Sequence, residues 1–295
     1  MGILDLFKRA FASRAPVKLD VSKRFQLQQQ AFSGTMSTFR VAREIASGKL
    51  MGLKFLDPET SATFKARFKG LNKPNEGAIA VQINHPNVVK TFEYGLTTAD
   101  EEYILMEYIQ GPSLGSLIRN QDPKFIRNRL SLIRQMASAI QAVHEAGFIH
   151  RDICPRNFIC DPAVGVVKLI DFGLTVPDTP EFRQPGNRTG TPHYMAPEIV
   201  RRRPTDARVD IFAFGVTVYR MLTFEHPWGS TDPSGIGALA HDSREATSIQ
   251  TYRPDLNEKL ARAVERCIRV KPEERLGSLK QFLGLIGDVK SESRA

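Results

Sequence analysis

The sequence predicts an α+β fold with two lobes: a small lobe built on an antiparallel β-sheet with one main helix, and a larger helical lobe. Two observations support this prediction. Strand patterns dominate residues from about 25 to 106, and apolar residues at helical spacing dominate the chain from residue 113 onward. The polar residues best suited to catalysis occur where the two patterns meet, so we expect a catalytic cleft between the lobes.

Composition and length are typical of a globular protein with a large core. The 295 residues are 41% hydrophobic and 25% charged, and no run reaches the ~20 apolar residues that a membrane-spanning helix needs. Three cysteines without paired spacing, and an N-terminus without a secretory-signal pattern, favour a reducing, cytoplasmic location. The formal net charge is +9, but no basic and aromatic binding module accompanies it, so nucleic acid is not expected as a partner.

A basic amphipathic arm is predicted at residues 1–24. Residues 1–15 place apolar side chains on one face of a helix, and Pro16 ends this pattern. Two interpretations are open. The helix docks on a membrane surface or a partner protein, which would make the protein peripheral at a membrane, or it packs against the domain's own surface.

The predicted elements of the small lobe are mostly strands. Residues 39–43 and 50–56 have the composition of neighbouring strands, joined through a turn at 46–49. The other elements predicted in this lobe are a helix at 76–84 and strands at 88–94 and 103–106.

The predicted elements of the large lobe are mostly helices. Apolar residues recur at helical spacing over 127–146, and Gly147 ends that pattern. The remaining predictions are short strands at 158–159 and 166–170 and helices at 209–223, 259–269 and 279–286.

Two motifs carry the residues expected to do chemistry. The first runs from His150 through Arg151 and Asp152 to Asn157, and the second begins at Asp171, fourteen residues after Asn157, and continues as Phe-Gly. Asp152 offers a carboxylate that can orient a hydroxyl group. Asn157 and Asp171 offer the hard oxygen ligands that Mg²⁺ prefers.

These motifs resemble the catalytic domain of eukaryotic-like serine/threonine protein kinases, and the resemblance covers residues 25–287. It implies an N-lobe at about 25–106, a hinge at 107–112, a C-lobe at 113–287 and a C-terminal tail at 288–295. It also implies ATP and Mg²⁺ as the cofactors and proteins as the substrates.

The resemblance implies roles for individual residues. Lys54 would hold the α- and β-phosphates of ATP, Glu76 would pair with Lys54, and Asp152 would orient the substrate hydroxyl. Asn157 and Asp171 would hold Mg²⁺. The remaining nucleotide-binding positions that it implies are Gly34, Ser37, Phe39, Gly52, Met106, Glu107, Ile109 and Ile159.

The nucleotide-binding segment departs from the family pattern in two ways. Of the three glycines in its loop only Gly34 is kept, because Phe32 and Ser37 stand at the outer positions. Phe39 and Gly52 replace the Val and Ala that usually enclose adenine, and we expect the larger side chain to fill the space left by the smaller one.

The catalytic loop departs from the pattern at Cys154, which replaces the lysine that bridges the γ-phosphate and the substrate hydroxyl. We expect Arg156, four residues after Asp152, to compensate in part, as an arginine does in many tyrosine kinases. Thr191 is expected to hydrogen-bond Asp152, which favours Ser/Thr specificity and leaves tyrosine as the alternative. Cys154 itself is interpreted as an apolar filler, with a redox-sensitive thiol as the alternative.

Supporting contacts and regulation are also implied by the resemblance. Asp210 would anchor the catalytic loop, and Arg275 would pair with Glu198. Arg151, directly before Asp152, indicates control by phosphorylation of the activation segment, the part of the chain between Asp171 and Glu198. The candidate sites there are Thr175, Thr179 and Thr189, of which Thr189 is preferred.

Three functions are compatible with these residues. They are transfer of the γ-phosphate of ATP to Ser or Thr of proteins, a pseudokinase that serves as a binding or scaffolding module, and a small-molecule phosphotransferase. The third has no use for the segment 190–192, which contains Thr191 and resembles the substrate-docking loop of serine/threonine kinases. The first is favoured because all five charged or metal-binding residues are kept: Lys54, Glu76, Asp152, Asn157 and Asp171.

Overall fold

The computed structural model describes residues 18–33, 37–68, 70–186, 188–229, 241 and 244–294. Contacts between residues divide the chain into two compact units, the first formed by 1–69 with 91–108 and the second by 70–90 with 109–295. Residues 70–90 therefore group with the second unit, whereas the predicted N-lobe ran from 25 to 106. The predicted helix at 1–15 lies outside the described residues, as does Gly34.

The first unit is built on a five-stranded antiparallel sheet in the order β1-β2-β3-β5-β4. Its strands are β1 Phe25–Ser33, β2 Ser37–Glu44, β3 Leu50–Leu56, β4 Thr91–Leu96 and β5 Glu102–Glu107. The predicted hairpin at 39–56 is confirmed, since Arg43 pairs with Leu50. Gly48 in its turn has φ +69°, a left-handed conformation that glycine adopts without steric cost.

Among its described residues the first unit also has two short helices, α1 Val21–Arg24 and α2 Pro58–Ala66. The sequence did not predict α2, because its apolar residues do not recur at helical spacing. A local signal marks its start instead: the carboxylate of Asp57 accepts a hydrogen bond from the Thr60 amide (2.7 Å), as an N-cap does.

The second unit is mainly helical. The helices that the structure bounds there are α3 Glu76–Ala80, α4 Leu114–Arg119, α5 Pro123–Glu145, α6 Pro197–Val200, α7 Arg208–Thr223, α8 Ile249–Tyr252, α9 Glu258–Cys267 and α10 Leu279–Leu285. Its strand pairs are β6 Phe148–Ile149 with β9 Val176–Pro177, and β7 Phe158–Cys160 with β8 Val167–Leu169. The predicted helix at 76–84 is shorter than expected. It ends at Ala80, where the Gln82 side chain donates to the Ala78 carbonyl (2.5 Å).

Helix α7 forms the centre of the second unit, because nearly all of its residues are buried. Gly215 allows the chain at the end of α9 to approach closely, since a Cβ there would lie 2.5 Å from the Cβ of Cys267. On another side the Phe214 ring packs edge-on against Phe282 of α10 (4.9 Å between centroids). Within the described part of the chain no helix is both long and apolar enough to cross a membrane.

The C-terminal segment, predicted as a tail at 288–295, packs onto the second unit as far as residue 294. The carboxylate of Glu292 accepts two hydrogen bonds from the guanidinium of Arg129 (3.1 and 2.6 Å), and Arg129 is buried. The Glu292 carbonyl also accepts from the amide of Asn257 (2.6 Å). Removing one partner of a buried ion pair leaves a charge without compensation.

We therefore expect Glu292→Ala to lower the free energy of unfolding by about 3 kcal/mol, measured by urea denaturation. The matched control is Glu274→Ala, which removes an exposed carboxylate paired with Lys271 (3.1 Å) and is expected to cost less than about 1 kcal/mol. Equal losses in the two variants would contradict a structural role for the C-terminal segment.

Candidate active site

The catalytic loop is held by the buried carboxylate of Asp210 in α7. It accepts hydrogen bonds from the amides of His150 and Arg151 (2.8 Å each) and from Nε2 of His144 (2.9 Å). Burial alone would raise the pKa of Asp210, but the hydrogen bond from His144 and electrostatic contributions of His144 and His150 hold it below its ordinary value. The anchoring role expected of Asp210 is thus confirmed, and His144 is a partner that the sequence did not reveal.

His150 has a structural place in this loop, as predicted. Its side chain is fully buried, and Nδ1 accepts a hydrogen bond from the Asp152 amide (3.3 Å). The ring packs edge-on against Phe172 (5.3 Å between centroids). His150 therefore links the two predicted catalytic motifs without supplying a reacting group.

The Asp152 carboxylate is fixed by neighbours on both of its oxygens. Oδ1 accepts from the amide (2.9 Å) and the hydroxyl (2.7 Å) of Thr191, which is the hydrogen bond expected for the docking loop. Oδ2 accepts from the side-chain amide of Asn157 (2.9 Å). A carboxylate held in this way is oriented before any substrate arrives.

The docking loop approaches the catalytic loop at Gly190, where only glycine fits. Gly190 has φ +117°, and a Cβ at this position would lie 2.8 Å from the carbonyl oxygen of Arg151. A larger residue would push the loop away from Asp152 and break the contacts of Thr191.

Asn157 and Asp171 are neighbours in the second unit. The amide of Ile170, directly before Asp171, donates to the Asn157 carbonyl (2.9 Å). The side-chain nitrogen of Asn157 bonds the Asp152 carbonyl (2.7 Å) as well as its carboxylate, so the amide oxygen is the atom that Asn157 can offer to a cation. Asp171 is exposed and has φ +67°, a strained conformation that Asp tolerates better than most residues. An amide oxygen and a carboxylate fit the preference of Mg²⁺ for hard oxygen ligands.

Arg156 lies beside Asp152 and carries a positive charge, which the side chain of Cys154 lacks. Its guanidinium donates to the Thr191 hydroxyl (2.9 Å) and lies 3.6 Å from Asp152 Oδ2. The Arg156 side chain is 66% exposed. The arginine expected to compensate for the missing lysine is therefore within reach of the Asp152 carboxylate.

Cys154 is buried beside Asp152. Burial, with the negative charge of Asp152, raises the pKa of the Cys154 thiol to about 11. Burial also raises the pKa of Cys160 to about 12 and that of Cys267 above its ordinary value. These thiols are protonated at neutral pH, which favours the interpretation of Cys154 as a filler over a redox-sensitive group.

We expect all three cysteines to resist iodoacetamide at pH 8 in the folded protein, because roughly one Cys154 thiol in a thousand is ionised there. Mass spectrometry of the folded and the urea-unfolded protein measures this, with labelling expected only after unfolding. A Ser47→Cys variant, in an exposed turn, provides the reactive control. Labelling of Cys154 at the rate of that control would contradict the prediction.

Glu76 is placed at the start of α3, which the side chain of Asn75 caps by accepting from the Ala78 amide (2.8 Å). Its carboxylate reaches the Asp171-Phe-Gly turn, since a Cβ built on Gly173 would lie 3.4 Å from Glu76 Oε2. Lys54 belongs to the first unit and is buried at the centre of the sheet, in β3 between Phe39 of β2 and Ile104 of β5. The expected pairing of Lys54 with Glu76 stays a prediction.

The Phe39 side chain fills the space beside Gly52, as expected from the sequence. A Cβ at Gly52 would lie 2.7 Å from the Phe39 ring and 3.0 Å from Cγ of Met106, so the ring fills the space that a larger residue at 52 would use. Phe39 also stacks on Tyr108 (6.4 Å between centroids), a residue that the sequence did not single out. Whether these side chains contact adenine stays a prediction.

The other predicted nucleotide-binding residues are placed as follows. Ser37 begins β2, Glu107 ends β5 opposite Met51, and both belong to the first unit. Ile109 and Ile159 belong to the second unit and are partly buried. The second unit thus brings together Asp152, Arg156, Asn157, Asp171 and Thr191. The roles of the nucleotide-binding residues stay predictions.

The Glu198–Arg275 pair expected at the end of the activation segment is present and buried. Two hydrogen bonds of 2.6 and 2.7 Å join the guanidinium to the carboxylate, and the Arg275 side chain has no exposed surface. Arg275 also lies over the Phe212 ring of α7 (4.9 Å). This pair ties the segment that carries Thr191 to the core of the second unit.

The candidate phosphorylation sites differ in accessibility. Thr175 is fully buried, with its hydroxyl 3.4 Å from the His150 carbonyl, so a kinase could not reach it in this conformation. Thr179 is exposed and its hydroxyl donates to Glu181 (2.6 Å). Thr189 is partly buried, two residues before Thr191, and remains the predicted site.

Comparison with known proteins assigns the family. Residues 25–284 match the model of the protein kinase domain. The chain is 27% identical to a probable serine/threonine-protein kinase of Clostridium acetobutylicum over 92% of its length, 28% identical to serine/threonine-protein kinase pkn3 of Myxococcus xanthus over 93%, and 28% identical to serine/threonine-protein kinase PrkC of Bacillus subtilis over 86%. The matches cover 40%, 51% and 39% of those proteins, so the chain spans about two fifths to one half of their length. The kinase-like order of motifs and the geometry around Asp152 agree with this match, and the chain belongs to the protein kinase domain family.

Proposed function

We propose that this protein transfers the γ-phosphate of ATP, in the presence of Mg²⁺, to serine and threonine hydroxyls of protein substrates. The observation that carries the proposal is the oriented carboxylate of Asp152, bonded by Thr191 on one oxygen and by Asn157 on the other. The names of the relatives, all serine/threonine-protein kinases, support the same activity.

Asp152 would act on the attacking hydroxyl. Its carboxylate would accept the hydroxyl hydrogen bond and then the proton, while the hydroxyl oxygen bonds to the γ-phosphorus and the bond from that phosphorus to the ADP oxygen breaks. Thr191 would keep the carboxylate turned toward the substrate and lies on the loop expected to dock it. This arrangement supports Ser/Thr over tyrosine specificity.

The metal would be held by Asn157 through its amide oxygen and by Asp171 through its carboxylate. When bound, Mg²⁺ neutralises negative charge on the phosphates. The Asn157 side chain also donates a hydrogen bond to the Asp152 carboxylate. Asn157 would therefore connect the metal site to the residue that orients the hydroxyl.

The nucleotide itself would be bound by the remaining predicted residues. Lys54, with Glu76 to position it, would contact the α- and β-phosphates, and backbone groups of Glu107 and Ile109 would hydrogen-bond adenine. Gly34 and Ser37 would cover the phosphates. The apolar positions proposed to enclose the base are Phe39, Gly52, Met106 and Ile159.

Location and attachment also remain proposals. A cytoplasmic location fits three unpaired, buried cysteines. The arm at 1–24, predicted from its basic amphipathic sequence, would dock on a membrane surface or on a partner protein.

Arg156→Ala is expected to lower kcat about 10- to 100-fold while changing the KM for ATP less than about threefold. The guanidinium next to Asp152 and Thr191 would stabilise charge that develops on the transferring phosphate, and this benefit is largest in the transition state. Arg156→Lys should recover part of the rate, because it keeps the charge without the planar fork. An unchanged kcat in Arg156→Ala would remove this role.

Transfer of labelled γ-phosphate to a peptide mixture containing Ser, Thr and Tyr tests the proposed function. The wild type should label the mixture only with Mg²⁺ present, and Asp152→Asn should reduce the rate at least about 10³-fold. Nucleotide-dependent thermal stabilisation without any transfer would identify a pseudokinase instead. Asp152→Asn must keep the unfolding temperature of the wild type for the comparison to count.

A further inference from the structure

A basic surface lies beside the docking loop, on two segments of the chain, one containing Arg183 and Arg188 and the other at 200–205. The segments are joined by two hydrogen bonds of 2.8 Å, from the Thr205 amide to the Arg183 carbonyl and from Arg188 Nε to the Val200 carbonyl. The arginines that form this basic surface are Arg183, Arg188, Arg201, Arg202 and Arg203, and all five are exposed.

The acidic residues nearby do not balance this charge. Between residues 178 and 208 the chain has six arginines and four acidic residues. Of the four, Glu198 is buried against Arg275, Asp206 pairs with Arg208 (2.6 Å), Asp178 pairs with Arg183 (2.7 Å), and Glu181 accepts a hydrogen bond from the Thr179 hydroxyl (2.6 Å). The surface therefore keeps a positive excess at its exposed side.

The basic surface is close to the residues proposed to hold the substrate hydroxyl. Arg188 is three residues before Thr191, which bonds the Asp152 carboxylate, and three residues span at most ~11 Å. Arg201 follows Val200, whose carbonyl Arg188 bonds. An extended peptide with its hydroxyl at Asp152 would come within reach of these guanidinium groups about three to five residues from the phosphorylated position.

We propose that the basic surface binds acidic side chains of the protein substrate, so that serines and threonines within about five residues of Asp or Glu clusters are preferred. This proposal rests on the proposed kinase function. Arginine suits the partner because its planar fork binds carboxylates with two parallel hydrogen bonds. The position beside the docking loop favours a substrate segment over an anionic membrane.

Two peptides test the proposal, identical except that glutamates flanking a single serine in the first are glutamines in the second. The wild type should phosphorylate the glutamate peptide with kcat/KM about tenfold higher or more, because several exposed ion pairs each contribute a few-fold. The preference should shrink between about 50 mM and about 500 mM NaCl as the charges are screened.

The variant Arg202→Glu/Arg203→Glu should reduce the ratio of the two kcat/KM values at least about fivefold. It leaves in place both hydrogen bonds that join the segments, since those use Arg183 and Arg188. The matched control is Arg127→Glu/Arg262→Glu, a double reversal of exposed arginines on α5 and α9 that should keep the wild-type ratio.

Fluorescence anisotropy of the labelled glutamate and glutamine peptides separates this proposal from the kinase function. Binding that favours the glutamate peptide and is lost in Arg202→Glu/Arg203→Glu supports the basic surface, even if no phosphate is transferred and the kinase function fails. Equal affinity for both peptides, or an unchanged preference in the variant, would overturn the proposal. Loss of sedimentation with phosphatidylserine vesicles in this variant, with the peptide preference unchanged, would assign the surface to a membrane and also overturn it.

Discussion

Asp171→Asn is expected to lower kcat by at least about 10³-fold and to leave the fold intact. The substitution removes the one negative charge proposed to hold Mg²⁺, and loss of about 4 kcal/mol of transition-state stabilisation corresponds to this factor. The backbone should be preserved, because Asp171 has φ +67° and Asn adopts this left-handed conformation as readily as Asp.

The chain offers a matched control for Asp171. Asp100 also has a positive φ (+63°), lies in an exposed turn of the first unit and pairs with Lys18. Asp100→Asn should therefore keep the full rate. Initial rates across a series of Mg²⁺ concentrations, together with unfolding temperatures, distinguish the two variants. Retention of more than a tenth of the wild-type kcat in Asp171→Asn would contradict its role.

Arg275→Met is expected to lower the free energy of unfolding by about 3–5 kcal/mol, because it leaves the Glu198 carboxylate buried without its partner. The guanidinium also donates to the carbonyls of Arg269 (2.7 Å), Val270 (2.9 Å) and Arg208 (3.1 Å). The double variant Glu198→Leu/Arg275→Met should recover only part of the loss, since these carbonyls still lack a donor.

Urea denaturation measures this effect, and thermal unfolding should show a decrease of about 5–8 °C, at roughly 1.6 °C per kcal/mol for a chain of 295 residues. Lys271→Met is the control, because it breaks an exposed ion pair with Glu274 and should change stability by less than about 1 kcal/mol. A loss below about 1 kcal/mol in Arg275→Met would show that the buried pair is not needed for folding.

Regular elements of the fold could be predicted because their residues repeat with a fixed period. The strands at 39–43 and 50–56 and the helix at 127–146 match β2, β3 and α5 to within a few residues. Helix α2 was missed because a side-chain cap, rather than an apolar stripe, marks it. The packing of Glu292 on Arg129 was missed because it joins residues that are far apart in the sequence.

At the candidate site, too, local motifs could be predicted and contacts between distant residues could not. Asp152, Asn157 and Asp171 could be found because their motifs keep a characteristic order and spacing. The contact of His144 with Asp210 joins residues 66 positions apart, and no local pattern indicates it. Likewise, the run of arginines at 201–203 is visible in the sequence. The hydrogen bonds that join its segment to the segment of Arg183 and Arg188 form only in the folded chain.

One measurement tests the central claim most directly: phosphate transfer to peptides that differ only in carrying Ser, Thr or Tyr at the acceptor position. With Mg²⁺ and labelled ATP, the geometry around Asp152 and Thr191 predicts labelling of the Ser and Thr peptides and little or none of the Tyr peptide. Transfer mainly to tyrosine would contradict the proposed specificity. Absence of transfer to all three peptides, by protein that still binds the nucleotide, would contradict the proposed function.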